Sequence, residues 1–166
     1  MCPRKVPRTV NRVLFVAVLL VGGCGVEQSG VDGAGPAPTG LAQETVLYFL
    51  DADGSLESSA RETGRLGTVL GAVQLLLSGT SDSEEAAGLH SDVPVGEVSP
   101  SVVDAGGYVH VDLPFDATEI GPDGIDQVIC TATAVITASG RDPDGVDVTV
   151  GLTSGEQTGR PCPLLR

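Results

Sequence analysis

The folded part of the chain opens with the run TVLYFL at residues 45–50. Its residues are β-branched, aromatic or aliphatic, and the run is too short for a helix, so it predicts a buried strand. The turn sequence DADG follows at residues 51–54. We expect residues 56–62 to pair back on the first strand as a shorter and more polar second strand.

Two later segments carry apolar residues at helical spacing. The face of the first helix ends before Ser78 and Gly79 and consists of Leu66, Val69, Leu70, Val73 and Leu77. Asp123 is the expected N-cap of the second helix, whose inward face consists of Ile125, Val128, Ile129, Ala132 and Ile136. Val, Ile and Thr are frequent in this second segment and also favour a strand.

Alternating apolar residues predict the remaining strands. Residues 98–103 and 108–113 flank the turn sequence DAGG and are expected to form a β-hairpin. Residues 146–152 alternate in the same way and form the last predicted strand. The predicted order is ββαββαβ, which is a small α+β domain over residues 44–152 with helices packed on a mixed or antiparallel sheet, followed by a C-terminal tail, residues 153–166.

The N-terminal segment has the pattern of an export signal. Residues 1–12 contain four basic and no acidic residues, and residues 13–21 (VLFVAVLLV) are uncharged and apolar. This apolar core is well short of the roughly 20 residues that a membrane-spanning helix requires. We therefore predict a signal peptide, residues 1–23, and no transmembrane anchor.

The signal core ends in VGGC at residues 21–24, which resembles the lipobox of bacterial lipoproteins. The resemblance implies cleavage before Cys24 and lipid on that cysteine, with a palmitate-type acyl group, so that the chain is held at the extracytoplasmic face of the cell membrane. Residues 24–43 are rich in Gly, Pro, Ser and Ala and are expected to be a flexible tether. In the alternative, an ordinary secretory signal, Cys24 is unmodified.

Charge and cysteine content narrow the possible partners. The formal net charge is −13, and all 22 acidic residues lie beyond residue 23, where the basic residues are five arginines. Nucleic acid and anionic lipid headgroups are not expected as partners, because the negative field of the domain would repel them. Cys130 and Cys162 remain in an exported chain and are predicted to form a disulfide, the alternative being two free or buried thiols.

The sequence shows no arrangement typical of a catalytic or metal site. His90 and His110 are the only histidines, so no zinc site and no cofactor are predicted. His110 alternates with two valines and is interpreted as a solvent-facing strand residue rather than a general base. Glu84 and Glu85 are interpreted as a solvated acidic loop. The acidic turns at residues 51–54 and 142–147 are read as plain turns, with Ca²⁺ binding as the alternative.

The order and spacing of these motifs resemble the GerMN domain family, which occurs in bacterial cell-envelope lipoproteins. The matching features cover most of residues 44–152 and are VLYFL at 46–50, Asp51 and Gly54, Arg61, LLLSG at 75–79, Glu85, Gly88-Leu89, Ser91, PVG at 94–96, VHVDL at 109–113 and Gln127-Val128. The chain departs from the family at residues 78–81, where a Gly-Pro turn is usual. The resemblance implies a small α+β domain that acts in protein assemblies and has no known catalytic residues.

Taken together, the residues and the resemblance predict a membrane-anchored envelope lipoprotein. Its domain is expected to be a non-enzymatic module that binds an envelope protein of unknown identity. The alternative is an envelope hydrolase, or a lipoprotein that binds a small solute or calcium. Few aromatic residues are available to build a stacking pocket for a solute.

Overall fold

The computed structural model describes residues 44–64, 67–155 and 157–165. The strands are β1 (Glu44–Leu50), β2 (Leu56–Glu62), β3 (Ser101–Asp104), β4 (Tyr108–Asp112), β5 (Asp147–Gly151) and β6 (Gln157–Gly159). The α-helices are α1 (Val69–Leu77), α2 (Asp82–Ala86) and α3 (Pro122–Ala138). The predicted signal peptide, Cys24 and the tether lie outside the described residues. Within the described ranges, no helix has the length and hydropathy of a membrane span.

The strands form two sheets, which confirms the predicted α+β class. Strands β1 and β2 pair in antiparallel fashion, from Glu44 opposite Glu62 to Leu50 opposite Leu56. The second sheet has the order β3-β4-β5-β6. It is mixed, because β4 and β5 are parallel while the other two pairs are antiparallel. Strand β6 and helix α2 are additions to the predicted order, and β6 lies within the segment expected to be a tail.

Helix α3 is the centre of the core and packs on both β1 and β5. As the connection between the parallel strands β4 and β5, it is the crossover that such a pair requires. The predicted inward face is confirmed, since all five of its residues are buried. Burying one isoleucine or valine side chain contributes roughly 1.5–3 kcal/mol to the free energy of folding. The predicted cap is wrong: Gly121 is the N-cap, Pro122 follows it, and Asp123 lies in the first turn.

Two polar side chains of α3 cover the free edge of β1. The backbone N–H of Tyr48 donates to Thr131 Oγ1 at 3.1 Å, and Gln127 Nε2 donates to the carbonyl of Tyr48 at 3.0 Å. Gln127 Oε1 also accepts from the backbone N–H of Asp92 at 2.8 Å. Both side chains are fully buried. On this side of β1, the backbone N–H and carbonyl of Tyr48 are therefore hydrogen-bonded within the domain.

Helix α1 differs in part from its prediction. It begins after the N-cap Thr68 and ends at Leu77, with Ser78 as the C-cap and a positive φ of 82° at Gly79. Most of the predicted face is buried, but Leu70 is 36% exposed. Leu66 lies outside the described residues.

The acidic segment after α1 is a short helix and not a solvated loop. Ser81 caps α2 in a capping box with Glu84, and Glu84 is only 5% exposed. Arg61 of β2 forms an ion pair with Glu84, donating from Nε to Oε1 at 3.1 Å, and its guanidinium lies 5.4 Å from the ring centre of Phe49. Glu85, which the family resemblance singled out, is exposed. The pair therefore fastens β2 to the segment that follows α1.

Candidate functional site

The outer face of the four-stranded sheet carries a row of polar side chains. Val109 and Val111 of β4 point into the core and are fully buried. Because neighbouring residues of a strand face opposite sides, Tyr108, His110 and Asp112 lie together on the outer face. On β5, Thr149 is the residue directly opposite His110.

These side chains form one hydrogen-bonded chain. His110 Nε2 lies 2.9 Å from Asp112 Oδ1, and His110 Nδ1 lies 2.8 Å from Thr149 Oγ1. A carboxylate only accepts hydrogen bonds, so His110 Nε2 is the donor to Asp112. The Thr149 hydroxyl lies 3.3 Å from the oxygen of Tyr108, and Ser101 Oγ donates to Asp112 Oδ2 at 3.2 Å. The chain holds His110 in one orientation.

Two glycines make room for this arrangement. A Cβ at Gly151 would lie 2.8 Å from Asp112 Oδ1 and 2.9 Å from His110 Nε2. A Cβ at Gly159 of β6 would lie 2.6 Å from the Cγ2 atom of Thr149. Any larger residue at either position would therefore displace one of these hydrogen-bonded side chains.

His110 lies on the face opposite the buried valines, as predicted, but its side chain is only 12% exposed. The Tyr108 ring stacks on the imidazole, with ring centres 6.0 Å apart and the rings 10° from parallel. His90 is exposed and bridges to Leu50 beside the two-stranded sheet, so the two histidines belong to different parts of the domain.

The order hydroxyl, imidazole, carboxylate is also that of a nucleophile with its general base. Here the hydroxyl belongs to Thr149 in a central strand, whose backbone N–H groups serve the ladders to β4 and β6. Acyl transfer also needs N–H donors aimed at the developing oxyanion. Backbone donors that are committed to strand pairing do not supply them.

The rim of this face is apolar and accessible. Tyr108 is 40% exposed, and Val103, the residue opposite His110 on β3, is 54% exposed. Tyrosine and apolar side chains held on a rigid support are typical of the contact points of protein interfaces. We refer to Tyr108, His110, Val103 and Thr149 as the outer-face cluster.

A cavity of about 510 Å³ adjoins the outer-face cluster between β5 and the C-terminal segment. Its lining includes Tyr108, Asp144, Asp147, Thr149, Arg160 and Leu165. Arg160 is not free in this lining, because it donates to Asp126 Oδ1 at 2.5 Å and to the carbonyl of Pro122 at 2.8 Å. The neighbouring Asp126 carboxylate raises the pKa of Arg160.

The predicted disulfide is present between Cys130 of α3 and Cys162. Both residues are buried, and Cys162 also lines the cavity. The disulfide therefore holds the C-terminal segment that forms one wall of the cavity. Cys24, the predicted lipidation site, is not among the described residues.

The carboxylates of the two acidic turns accept backbone hydrogen bonds. Asp51 Oδ1 accepts from the N–H groups of Asp53 at 2.9 Å and Ser55 at 2.8 Å, and Asp142 Oδ1 accepts from Asp144 at 3.1 Å. These are the local bonds that Asp forms in ordinary turns. In the part of the chain that the structure describes, no three His, Cys, Asp or Glu side chains are grouped to hold a metal ion.

A comparison with solved structures shows similarity to the tandem GerMN domains of the sporulation protein GerM from Bacillus subtilis. The TM-score is 0.46 and the sequence identity is 15%, over 68% of this chain and 40% of that chain. The chain thus spans well under half the length of that structure. The family is the one that the sequence motifs resemble, and at this identity the similarity concerns the fold alone. No protein-family model and no curated protein matches the chain.

Proposed function

We propose that this chain is a lipoprotein, anchored through Cys24 to the extracytoplasmic face of the cell membrane, whose domain binds an envelope protein without catalysing a reaction. The observation that carries the proposal is the outer-face cluster. It combines an exposed valine with an exposed aromatic ring, and the Tyr108 ring is hydrogen-bonded to Thr149 and stacked on His110. Binding to a fixed surface loses less conformational entropy than binding to a mobile one.

The proposal of a lipid anchor is based on the N-terminal sequence. Confinement to a membrane surface raises the effective concentration of the domain near other envelope proteins, so weak contacts are sufficient. Metabolic labelling with a fatty-acid probe tests the anchor. Label is expected on the wild-type chain and not on the Cys24→Ser variant, and label that persists on the variant would show that the lipid is attached elsewhere.

Site-specific photo-crosslinking tests the binding surface. A photoreactive amino acid at Val103 is expected to give a discrete adduct with one envelope protein in intact membranes. The matched control carries the same group at Val95, an exposed apolar position near the end of α1. Adducts of equal yield and identity from both positions would argue against the outer face as the binding surface.

Hydrolysis is the second candidate because Thr149, His110 and Asp112 form a connected chain. The committed backbone donors around Thr149 count against it. A panel of ester, peptide and glycoside substrates distinguishes the two functions. Turnover by the wild type that is lost in both Thr149→Val and His110→Ala, while substrate binding is retained, would show that the domain is an enzyme and not a binding module.

A further inference from the structure

The described arginines are each neutralised by a carboxylate of the same domain. Arg61 pairs with Glu84, Arg141 with Asp104, and Arg160 with Asp126. Because these arginines are paired, the remaining acidic side chains determine the charge of the described surface. A partner that approaches this surface therefore meets a negative field, which favours basic segments.

Two carboxylates without a side-chain partner lie at the cavity beside the outer-face cluster. Asp144 and Asp147 are both exposed, and among the described residues no hydrogen bond or ion pair uses their carboxylate oxygens. Asp147 is the residue directly opposite Tyr108 in the β4–β5 pair. Directly opposite residues of adjacent strands are about 4.8 Å apart, so the Tyr108 ring and the Asp147 side chain are neighbours on the same face.

An aromatic ring next to free carboxylates at the mouth of a cavity matches the chemistry of a long cationic side chain. The ring face attracts a cation, the carboxylates pair with it, and the aliphatic stem of Lys or Arg packs against apolar lining such as Leu165. The cavity volume of about 510 Å³ is in the range of pockets that enclose a small ligand, so one such side chain can enter it. The positive charge of Arg160, on the same lining, is balanced by Asp126.

We infer that the outer face docks a basic segment of the protein partner, and that the segment inserts one Lys or Arg side chain between Tyr108, Asp144 and Asp147. The inference rests on the proposed function, because it identifies the chemistry of the partner at the same surface. Charge complementarity selects this occupant over an acidic or neutral segment. The outer-face cluster supplies the apolar contact, and the cavity supplies the selection for a cation.

Amide NMR of the full chain in a neutral detergent tests the cation site with small probes. The probes are the N-acetyl methylamides of lysine and arginine, with those of glutamine and glutamate as controls. Saturable shifts of residues 108, 144, 147 and 149 are expected with the two cationic probes only. Equal shifts with the glutamine probe, or cation-induced shifts spread evenly over the acidic surface, would overturn the inference, as would no shift at tens of millimolar.

A charge-matched pair of double variants separates the site from the general field. Asp144→Asn with Asp147→Asn removes two carboxylates from the cavity, and Asp53→Asn with Glu57→Gln removes two exposed carboxylates elsewhere. The first variant is expected to weaken probe binding roughly tenfold and the second less than twofold, since an ion pair is a short-range contact. If both double variants weakened probe binding equally, the probes would be attracted by the general negative charge of the domain and not by a specific site.

The crosslinking experiment distinguishes failure of this inference from failure of the proposed function. If the adduct at position 103 is lost in Tyr108→Ala but kept in the Asp144→Asn/Asp147→Asn variant, the outer face binds a partner and the cation site is wrong. If neither variant changes the adduct, the outer face is not the binding surface and both are wrong. Loss of the adduct in both variants supports both.

Discussion

Replacing Glu84 with Gln is expected to destabilise the domain by about 3 kcal/mol at neutral pH. Burial raises the pKa of Glu84, but hydrogen bonds from Arg61, the Ser81 backbone, Ser59 and the Ser81 hydroxyl together lower it from 4.5 to about 2. A pKa of about 2 in the folded state against 4.5 in the unfolded state corresponds to about 3 kcal/mol of folding free energy. An amide in place of the carboxylate also leaves the Arg61 charge without its counter-ion.

The sign of the pH dependence follows from the lowered pKa. The unfolded carboxyl binds a proton more readily than the folded one, so the stabilisation by Glu84 is fully present above about pH 4.5. It is lost as the pH falls toward 2. The free energies of unfolding of the wild type and Glu84→Gln should therefore differ by a constant amount at pH 5–7 and converge between pH 4.5 and 2.

Urea denaturation followed by circular dichroism at several pH values measures this difference directly. Asp104→Asn is the matched control, because Asp104 forms an ion pair with Arg141 at an exposed position, where such pairs contribute about 0–1 kcal/mol. Two results would refute the reasoning: a difference below about 1 kcal/mol between wild type and Glu84→Gln at pH 7, or curves that stay parallel down to pH 2.

Two further predictions concern the outer face and the wall of the cavity. Gly151→Ala should displace His110 or Asp112 and so change the imidazole ¹⁵N resonances of His110. Gly107→Ala is the control and should leave these resonances unchanged, because its Cβ would lie 3.8 Å from the nearest atom. Unchanged resonances in both variants would show that the hydrogen-bonded side chains around His110 are not tightly packed against Gly151. Removing the disulfide with Cys130→Ala and Cys162→Ala should lower the free energy of unfolding by about 3–4 kcal/mol, as expected for a 32-residue separation, and a loss below 1 kcal/mol in urea denaturation would contradict that value.

The elements with a clear period were predictable from the sequence. Strand β2 has the predicted bounds, and the inward face of α3 was identified residue by residue, because burial on one side imposes a period that survives in the sequence. Helix α2 was missed although its signal was present. Ser81 and Glu84 have the spacing of a capping box, but a run of acidic residues such as the one around them is also typical of a solvated loop.

The candidate site could not be predicted in the same way. Tyr108, His110 and Asp112 alternate along one strand, so their common face was readable. Their partner Thr149 lies 39 residues from His110 and reaches it only because α3 carries the chain across to a parallel strand in one register. Pairing across such a crossover depends on the packed core. Leu70 is a different case: it shares the helical spacing of the buried residues of α1 but is 36% exposed, because the neighbours of a helix in the packed core determine how wide its buried face is.

The most direct test of the account measures the affinity of the photo-crosslinked partner for the outer face. After the partner has been identified from the position 103 adduct, it is titrated against the full chain and against Tyr108→Ala, with Val95→Ala as the control at another exposed apolar position. A tyrosine that is a hot spot of an interface contributes about 2 kcal/mol or more, so Tyr108→Ala should weaken binding about 30-fold while Val95→Ala changes it less than twofold. Equal affinity of wild type and Tyr108→Ala would contradict the claim that this face binds the partner.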